Sequence, residues 1–483
     1  MEENQLSQRS NNPFRALRHI NFRLFWFGQL ISLIGAWMQG LAQGWLILVL
    51  SDDATRQAVF SHGGDAAAAV QGHASPAAEH AANFYSGLIN FAGGAPILLL
   101  VLFAGVLADR VNKRKLLIVT QMIAMLIALT TGFLIHLQVI TIAQLLVISL
   151  VLGIAMAVDM PARQSFIPEL VPREDVPSAV ALNSSMFNSA RAIGPALAGY
   201  LLVQHVSLAD CFFLNAASYV ATLLGLLLMR SPKGGPVLGA PRVRGESEEK
   251  IIANLRDGFS YVRHDHTALN LILLVGGFGL FGFSFNVLIP TFVKYTLLPH
   301  ASEAVQIHAF GMLETIRGVG ALIGAISVAV FASGNKQKIQ LIIGSVLATV
   351  VLVMFAFARD MRVAYVTMAI VSYGFVLCFA TCNTLMQMSV PDALRGRVMA
   401  IYMLMFIGTG PIGSLMAGAL AAKFGAPDTI LFFAIVSLIV AGIACFRPGG
   451  IRDLKPYDKP ATPTEADLPM LEGENKPELV GGE

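Results

Sequence analysis

Charged residues are scarce in this chain of 483 residues: Asp, Glu, Lys and Arg make up 13% of it, while hydrophobic residues make up 55%. An ordinary soluble domain carries about 25% charged residues. A soluble fold of this composition would expose too much apolar surface to water, so lipid is the expected solvent. The composition therefore predicts a membrane protein rather than a soluble enzyme.

Cysteine is also rare, with four residues that all lie in or beside apolar runs and none at metal-site spacing with histidine. We expect these thiols to be reduced packing residues, and we expect no metal site. The sequence contains no GxxxxGK[ST] loop, so ATP is not the expected energy source. It shows no hydrolytic or redox constellation either. The expectation is a monomer that is not an enzyme and has no cofactor and no nucleic-acid partner.

Long apolar runs are what the chain does contain. A membrane-spanning helix needs about 20 mostly apolar residues, and the sequence predicts twelve of them in an all-α fold. The first run is too long for the apolar part of a signal peptide, which has about 7–15 residues. The predicted spans are 22–50, 83–108, 116–136, 141–163, 179–203, 208–229, 268–298, 307–332, 338–358, 362–388, 397–423 and 427–446.

The distribution of Lys and Arg predicts the orientation of these spans, because short cytoplasmic loops carry an excess of both. If the N-terminus is inside, the inner segments hold 26 of the 33 Lys and Arg residues and the outer segments hold 5, including Lys294. The remaining two, Arg191 and Arg317, fall within spans. Both termini are therefore expected in the cytoplasm.

Five regions follow from this reading: a cytoplasmic N-terminus (1–21), a six-helix bundle (22–229), a cytoplasmic linker (230–267), a second six-helix bundle (268–446) and a disordered tail (447–483). The second part of the linker predicts an amphipathic helix on the inner membrane surface. Ser247 is its expected N-cap. Its apolar face would hold Ile251, Ile252, Leu255, Phe259 and Val262.

The two predicted bundles share short repeated motifs. Their offsets of 223, 219 and 216 residues drift slightly, as loop-length differences between duplicated halves would produce. Two pseudo-symmetric six-helix halves are an architecture of transporters, whose substrate sites usually lie between the halves. The matching pairs are Asn112-Lys-Arg-Lys-Leu with Asn335-Lys-Gln-Lys-Ile, Val171-Pro172 with Val390-Pro391, and Gly194-Pro195 with Gly410-Pro411.

Three segments carry a resemblance to a known family. GVLADRVNKRK (105–115) resembles the loop signature between the second and third helices of the major facilitator superfamily, with Asn112 where a second glycine is usual. ARAIGPALAG (190–199) is similar to the fifth-helix signature of its exporters. Residues 160–199 and 12–39 resemble the branch that holds the enterobactin exporter and macrolide-efflux proteins. The resemblance implies the major facilitator fold, and it leaves the substrate open.

Glu314 and Arg317 are the leading candidates for proton coupling. A proton-coupled carrier needs a titratable group within the membrane, and such groups are costly there, at about 2.5–3.5 kcal/mol each. The two residues are three apart and share a face of the eighth span. The alternative is a neutralised structural pair near the outer end of that helix.

The expected substrate cavity draws on polar and aromatic residues of four spans. In the first span, polar residues spaced three and four apart form one stripe, which either lines a cavity or joins helices. Arg191 is expected to hold an anionic group or an acidic partner, or to bond helix-end carbonyls. The aromatic residues would suit an apolar substrate, although ordinary packing is the usual role of Phe. The candidates are Gln29, Ser32, Gln39, Gln43, Asn188, Arg191, Phe281, Phe285, Asn286, Asn383 and Gln387.

A second group of residues is expected to act as a conformational switch at the inner side. In the repeat, Ala332 and Ser333 stand where the first half has Asp109 and Arg110. Bases alone would set topology in both halves, so the acid and its arginine point to switching. The resemblance suggests the start of the eleventh span as the neighbour of Asp109. The candidates are Gly105, Asp109, Arg110, Arg114, Asp159, Arg163, Glu169, Gly194, Pro195, Arg395 and Arg397.

The function expected from residues and resemblance together is secondary active transport in the inner membrane of a prokaryote. The predicted activity is export of a small amphipathic molecule, drug-like or siderophore-like, by alternating access with proton antiport. An uptake carrier or a lysophospholipid translocator is the alternative within transport. A non-transporting membrane receptor is the alternative of another class.

Overall fold

Twelve long helices make up most of the fold. The computed structural model describes residues 14–61, 63, 75–230, 239–240, 256, 258–330, 336–447 and 451, without the side chains of 101–103, 105–106, 108–109, 329, 336 and 392–393. The helices are α1 (Ile20–Leu50), α2 (Pro76–Arg110), α3 (Lys113–His136), α4 (Ile142–Phe166), α5 (Val176–Val203), α6 (Leu208–Leu228), α7 (His266–Leu297), α8 (Glu303–Val330), α9 (Lys336–Ala356), α10 (Met361–Ser389), α11 (Asp392–Phe424) and α12 (Ala426–Phe446).

Each predicted span overlaps one of these helices. In the part of the chain that the structure describes, ten of them are long and apolar enough to cross a membrane, and α2 and α5 fall outside this group. The protein is therefore an all-helical, multi-pass membrane protein. A short helix, Asp53–Ser61, lies between α1 and α2.

Short capped connections set the directions of neighbouring helices. Only two residues separate α2 from α3, and the side chain of Asn112 accepts a hydrogen bond of 3.0 Å from the backbone N–H of Lys115. Thr141 and Gln144 form a capping box at the start of α4. Such caps satisfy backbone donors that would otherwise lack partners in an apolar solvent. Connections this short make successive helices antiparallel.

The helices pack as two groups of six with the same arrangement. In the first half α1 packs on α5 and α6, α2 on α4, and α3 on α4 and α6. In the second half α7 packs on α11 and α12, α8 on α10, and α9 on α10 and α12. The groups meet through α2 with α11 and α5 with α8, which are equivalent pairs under this repeat. The two halves that share sequence motifs thus also share the same pattern of helix–helix contacts.

The two ends of the molecule differ. We call the end that holds the start of α1 and the end of α6 the terminal side, since Asn21 Nδ2 donates to the carbonyl of Arg230 there at 2.9 Å. The opposite end is the far side. On the far side the halves touch closely: Asn83 of α2 donates to the carbonyl of Ala421 of α11.

The helix α7 is irregular. It widens into π-helical turns at Phe278–Gly282 and Phe292–Leu297, with a tighter turn at Ser284–Leu288 between them. Departures of this kind are frequent at functional sites. Here they place Asn286 opposite α8, where the candidate site lies.

The predicted amphipathic linker helix is described only in part. Residues 256 and 258–264 are helical. Phe259 is 63% exposed while Val262 is 3% exposed, so these two residues do not share one exposed face. Ser247, Ile251, Ile252 and Leu255 lie outside the described residues, as does the tail apart from 447 and 451.

Candidate functional site

Two adjoining cavities lie between the halves, with volumes of about 560 and about 420 Å³. Each volume falls within the range of about 300–1,000 Å³ that is usual for small-molecule sites. Residues of both halves line them, and five residues line both: Trp37, Phe283, Asn286, Arg317 and Gly410. The cavities therefore form one candidate site at the place where the repeat predicts it.

Aromatic rings form most of one wall of the larger cavity. Phe375 and Phe379 of α10 stack with their centroids 6.0 Å apart, and Phe379 meets Phe406 of α11 edge-on at 5.0 Å. Offset and edge-on pairs of this kind are the favoured geometries of aromatic contacts. The aromatic side chains on this cavity are Trp37, Phe187, Phe283, Phe285, Phe375, Phe379, Tyr402 and Phe406.

An acid–base pair lies on the wall of the smaller cavity. Arg317 Nη2 donates to Glu314 Oε2, and Arg317 Nη1 donates to Asn286 Oδ1 at 2.7 Å. The exposed fractions of Glu314 and Arg317 are 8% and 9%. The sequence predicted the pair and predicted Asn286 as a cavity residue, and the structure brings all three together. Loss of the Glu314 charge would leave Arg317 with a neutral partner only.

Arg191 of α5 lies on the larger cavity beside Trp37. Its guanidinium carbon is 5.9 Å from the centre of the Trp37 ring, within the range of a cation–π contact. Its Nε is buried without an acceptor, and in the described part of the chain it forms no ion pair. An acidic protein partner, one of the expected roles, is thus not seen among the described residues.

A family model described as "Transmembrane secretion effector" matches residues 57–458. The chain belongs to this family, within the major facilitator superfamily. The resemblance found in the sequence is thereby confirmed, and the protein is a transporter rather than an enzyme.

Relatives and solved structures agree with this assignment. The transporter is 23% identical over 379 residues to the multidrug efflux pump Tap of Mycolicibacterium fortuitum, covering 77% of this chain and 89% of the relative. It is 27% identical over 369 residues to the staphyloferrin A transporter of Staphylococcus aureus, covering 75% and 87%. The solved D-xylose-proton symporter aligns with a TM-score of 0.60 at 15% identity, covering 87% and 96%, which shows a shared fold.

The polar stripe of α1 lies between helices in this transporter. Gln29 is 1% exposed and accepts a hydrogen bond of 2.5 Å from Arg163, and Gln39 is 7% exposed and accepts one of 2.5 Å from Asn215. Ser32 is buried and Gln43 is half-buried. The cavity-lining interpretation does not describe this conformation. The alternative does, because the amides find their partners on α4 and α6.

Some of the other predicted cavity residues line the larger cavity, and the rest contact other parts of their own half. Asn383 and Phe285 line the larger cavity. Gln387 is exposed and donates to Asn383 at 3.2 Å. Phe281 instead packs edge-on against Phe433 of α12, 5.4 Å between centroids, as ordinary packing would have it. Asn188 is half-buried, and its side chain donates to the carbonyl of Ser184.

Asp159 and Arg163 belong to a cluster inside the first half. The carboxylate of Asp159 accepts from Thr120 at 2.7 Å and from Gln121 at 2.9 Å, and it pairs with Arg163, which reaches Gln29. The cluster joins α1, α3 and α4. These contacts lie within the first half, and the role of Asp159 and Arg163 in a conformational switch stays a prediction.

Other switch candidates hold the terminal side of the first half together. Glu169 accepts from Lys113 Nζ at 2.6 Å and from the backbone of Gly239 at 3.0 Å. Gly239, with φ of +73°, also accepts from the backbone of Lys113 at 2.9 Å. Arg114 donates to the carbonyls of Leu226 and Leu227, where a cation suits the end of α6. Gly239 of the linker therefore lies against the loop between α2 and α3.

The remaining switch candidates are only partly described. The surroundings of Gly105 and the side chain of Asp109 lie outside what the structure describes, so the predicted role of both residues stays a prediction. Arg110 and Arg395 are exposed, and the backbone of Arg397 packs against residue Gly258. The proposed contact between Asp109 and the start of α11 is likewise untested.

The Gly194-Pro195 motif serves two interfaces. A Cβ on Gly194 would lie 2.5 Å from Trp37 Cβ, so this glycine permits α5 to pack closely on α1. Pro195 lines the smaller cavity. One turn further on, Gly199 meets Gly311 of α8 in the other half.

A buried ion pair on the far side was not predicted from the sequence. Lys294 Nζ lies 2.6 Å from Glu303 Oε1 and 5.7 Å from the centre of the Trp45 ring on α1. Lys294 and Glu303 are 4% and 5% exposed. The charge count places Lys294 with the outer segments although it falls near the end of the predicted span 268–298, and the structure places it within α7. The pairing had no signal in the sequence, because Glu303 belongs to the next helix and lies nine residues further along the chain.

Proposed function

We propose that the protein is a proton-coupled exporter of small amphipathic molecules that works by alternating access between its two halves. The observation that carries this proposal is Glu314, bonded to Arg317 on the cavity wall, on a helix that packs against the other half. An intramembrane acid facing a cavity is a functional candidate by default, because its burial is costly.

The proposed topology has twelve spans with both termini in the cytoplasm of a prokaryote and the protein in the inner membrane. The helices α2 and α5, with 35 and 28 residues, are long enough to cross. Each packs on a partner from the other half, which suits a span sheltered from lipid. The Lys and Arg distribution supports a cytoplasmic terminal side.

The structure then corresponds to the inward-facing conformation. Contacts between the halves gather on the far side, where Trp45 stacks on Phe310 with centroids 6.2 Å apart. Gln387 and Ser184, which lie from the cavity towards the terminal side, are exposed. Transport would require these far-side contacts to break as the terminal side closes.

Proton coupling would act through the gain and loss of the negative charge of Glu314 beside Arg317. With Glu314 ionised, Arg317 is neutralised across the cavity wall. With Glu314 protonated, the charge of Arg317 loses its counter-charge in a low-dielectric site, which favours rearrangement of α7 or α8. Proton antiport follows if substrate binding favours the ionised form. The Glu314–Arg317 contact also suits a structural pair, and the variant experiments separate the two roles.

Direction and substrate rest on the relatives and on the cavity. One relative is named an efflux pump and another a siderophore transporter, which supports export of drug-like or siderophore-like molecules. Uptake or lysophospholipid translocation is the second candidate, favoured only by the fact that the fold also serves a symporter. A receptor without transport is disfavoured by a cavity between two packed halves.

The test is accumulation in intact cells that lack the gene and carry either the wild-type protein or a variant. A panel of fluorescent amphipathic compounds is loaded, and efflux is followed before and after an uncoupler collapses the proton gradient. Export predicts faster efflux with the wild-type protein, abolished by the uncoupler. Uptake predicts faster entry instead, and no change with any compound would contradict transport of this class.

A further inference from the structure

Resting on the proposed function, we propose that the cavity takes aromatic compounds that carry oxygen acceptors and no positive charge, and that Arg191 binds the acceptor. This proposal names the substrate class of the site. It follows from the charge of the cavity, from the unmet hydrogen-bonding capacity of Arg191 and from the aromatic wall.

The cavity carries a net positive charge. Among the described residues that line the two cavities, the charged side chains are Arg191, Glu314 and Arg317. Glu314 is bonded to Arg317, so this pair is neutral overall. Arg191 remains, and an arginine stays protonated in a protein. A ligand cation would therefore enter a site that already holds one uncompensated positive charge.

Arg191 also has hydrogen-bond donor capacity that the described residues do not satisfy. Its guanidinium carries five N–H donors, and its Nε is buried with no acceptor in the described part of the chain. Buried polar groups are normally hydrogen-bonded, and the penalty for leaving them unmet is larger for charged groups. A carbonyl, carboxylate or phenolic oxygen of a ligand would satisfy this group. The planar fork of the guanidinium suits a two-oxygen acceptor best.

Arg191 lies beside the space that a ligand would occupy. Trp37 holds the guanidinium at 5.9 Å from its ring centre, and both residues line the larger cavity. The contact with Trp37 occupies an aromatic face that could otherwise attract a ligand cation. Arg191 is thus held beside the cavity rather than withdrawn into a bundle.

The aromatic wall selects the rest of the ligand. Phe283, Phe375, Phe379 and Phe406 line the same cavity as Arg191. Aromatic rings bind other rings by offset or edge-on contacts, and they also attract cations. Charge decides between these two ligands. The described lining residues include no unpaired carboxylate. A ligand cation would therefore be attracted by the aromatic rings but repelled by the positive charge of Arg191. A neutral or acidic aromatic ligand would not be repelled.

Four naphthalene probes that differ in one substituent test the proposal: 2-acetylnaphthalene, 2-naphthoate, 2-ethylnaphthalene and 2-naphthyltrimethylammonium. Binding to the full-length protein in lipid nanodiscs is measured by calorimetry, with empty nanodiscs as the blank. The acetyl and carboxylate probes should bind at least tenfold more tightly than the ethyl probe, and the cation should bind most weakly. The proposal would be overturned if the cation bound as tightly as the acetyl and carboxylate probes or more tightly. It would also be overturned if none of the four probes bound.

Variants assign the selectivity to its residue. Arg191→Gln should reduce the preference for the acetyl and carboxylate probes to less than threefold and improve cation binding. Arg191→Lys keeps the charge without the planar fork, so it should still reject the cation but bind the carboxylate less well. Arg362→Gln, at an exposed position on the far side, is the matched control and should keep the wild-type order. An unchanged order in Arg191→Gln would overturn the role of Arg191.

Failure here is distinguishable from failure of the proposed function. The efflux experiment uses intact cells and a broad panel of compounds, and its outcome does not depend on the order of the naphthalene probes. Efflux with a reversed probe order would overturn the substrate class and leave export standing. Correct probe order without efflux would leave the binding site and remove the exporter.

Discussion

Gly199 of α5 and Gly311 of α8 touch across the boundary between the two halves: a Cβ on Gly311 would lie 2.9 Å from the Cα of Gly199. Real Cβ atoms essentially never come so close to a backbone atom. The two helices can approach this closely because neither residue has a side chain, as in other membrane-helix interfaces built from small residues. This contact closes the far side.

Gly311→Ala should therefore hold the far side apart. We expect export to fall several-fold and the far-side distance to widen, measured by spin labels at the exposed positions Gln204 and Phe357. The matched control is Gly442→Ala on α12, where an added Cβ meets nothing within 4 Å. Normal export with an unchanged label distance in Gly311→Ala would show that this contact is dispensable.

The far-side ion pair should behave as a coupled unit. Removing one partner leaves the other buried and uncompensated, which costs about 3–5 kcal/mol when a buried pair is broken. Lys294→Met and Glu303→Gln should each lower the unfolding temperature of the purified protein, and the double variant should lose much less than the sum. Additive losses would mean that the two side chains do not depend on each other.

The cluster around Asp159 should stabilise the first half. Asp159 is 1% exposed and accepts hydrogen bonds from α3 while it pairs with Arg163. Asp159→Ala should destabilise the protein by about 3–5 kcal/mol, and Asp159→Asn by less because it keeps an acceptor. Asp428→Ala, at an exposed position, is the control and should change stability by under about 1 kcal/mol. Thermal unfolding in detergent measures all three.

Helix positions could be predicted from the sequence because apolar length is a local property. The twelve predicted ranges each overlap one helix, and the repeat correctly placed the cavity between two equivalent halves. Glu314 and Arg317 were predictable as a pair for the same reason, since three residues along one helix fix their proximity.

Partners on different helices could not be predicted in this way. Gln29 and Gln39 have the spacing of a cavity wall, but a buried helix contact requires the same spacing, and only the position of Arg163 and Asn215 decides between them. The contact of Asn286 with Arg317 spans 31 residues and depends on the irregular turns of α7. Neither arrangement has a local signal in the sequence.

Proton movement in proteoliposomes tests the central claim most directly. Purified protein is reconstituted with a pH-sensitive dye inside the vesicles, and a compound exported in cells is added. The account predicts a substrate-dependent change of internal pH with the wild-type protein and its loss in Glu314→Gln, a variant of nearly the same shape that cannot ionise. Substrate-dependent proton movement that persists unchanged in Glu314→Gln would contradict the account.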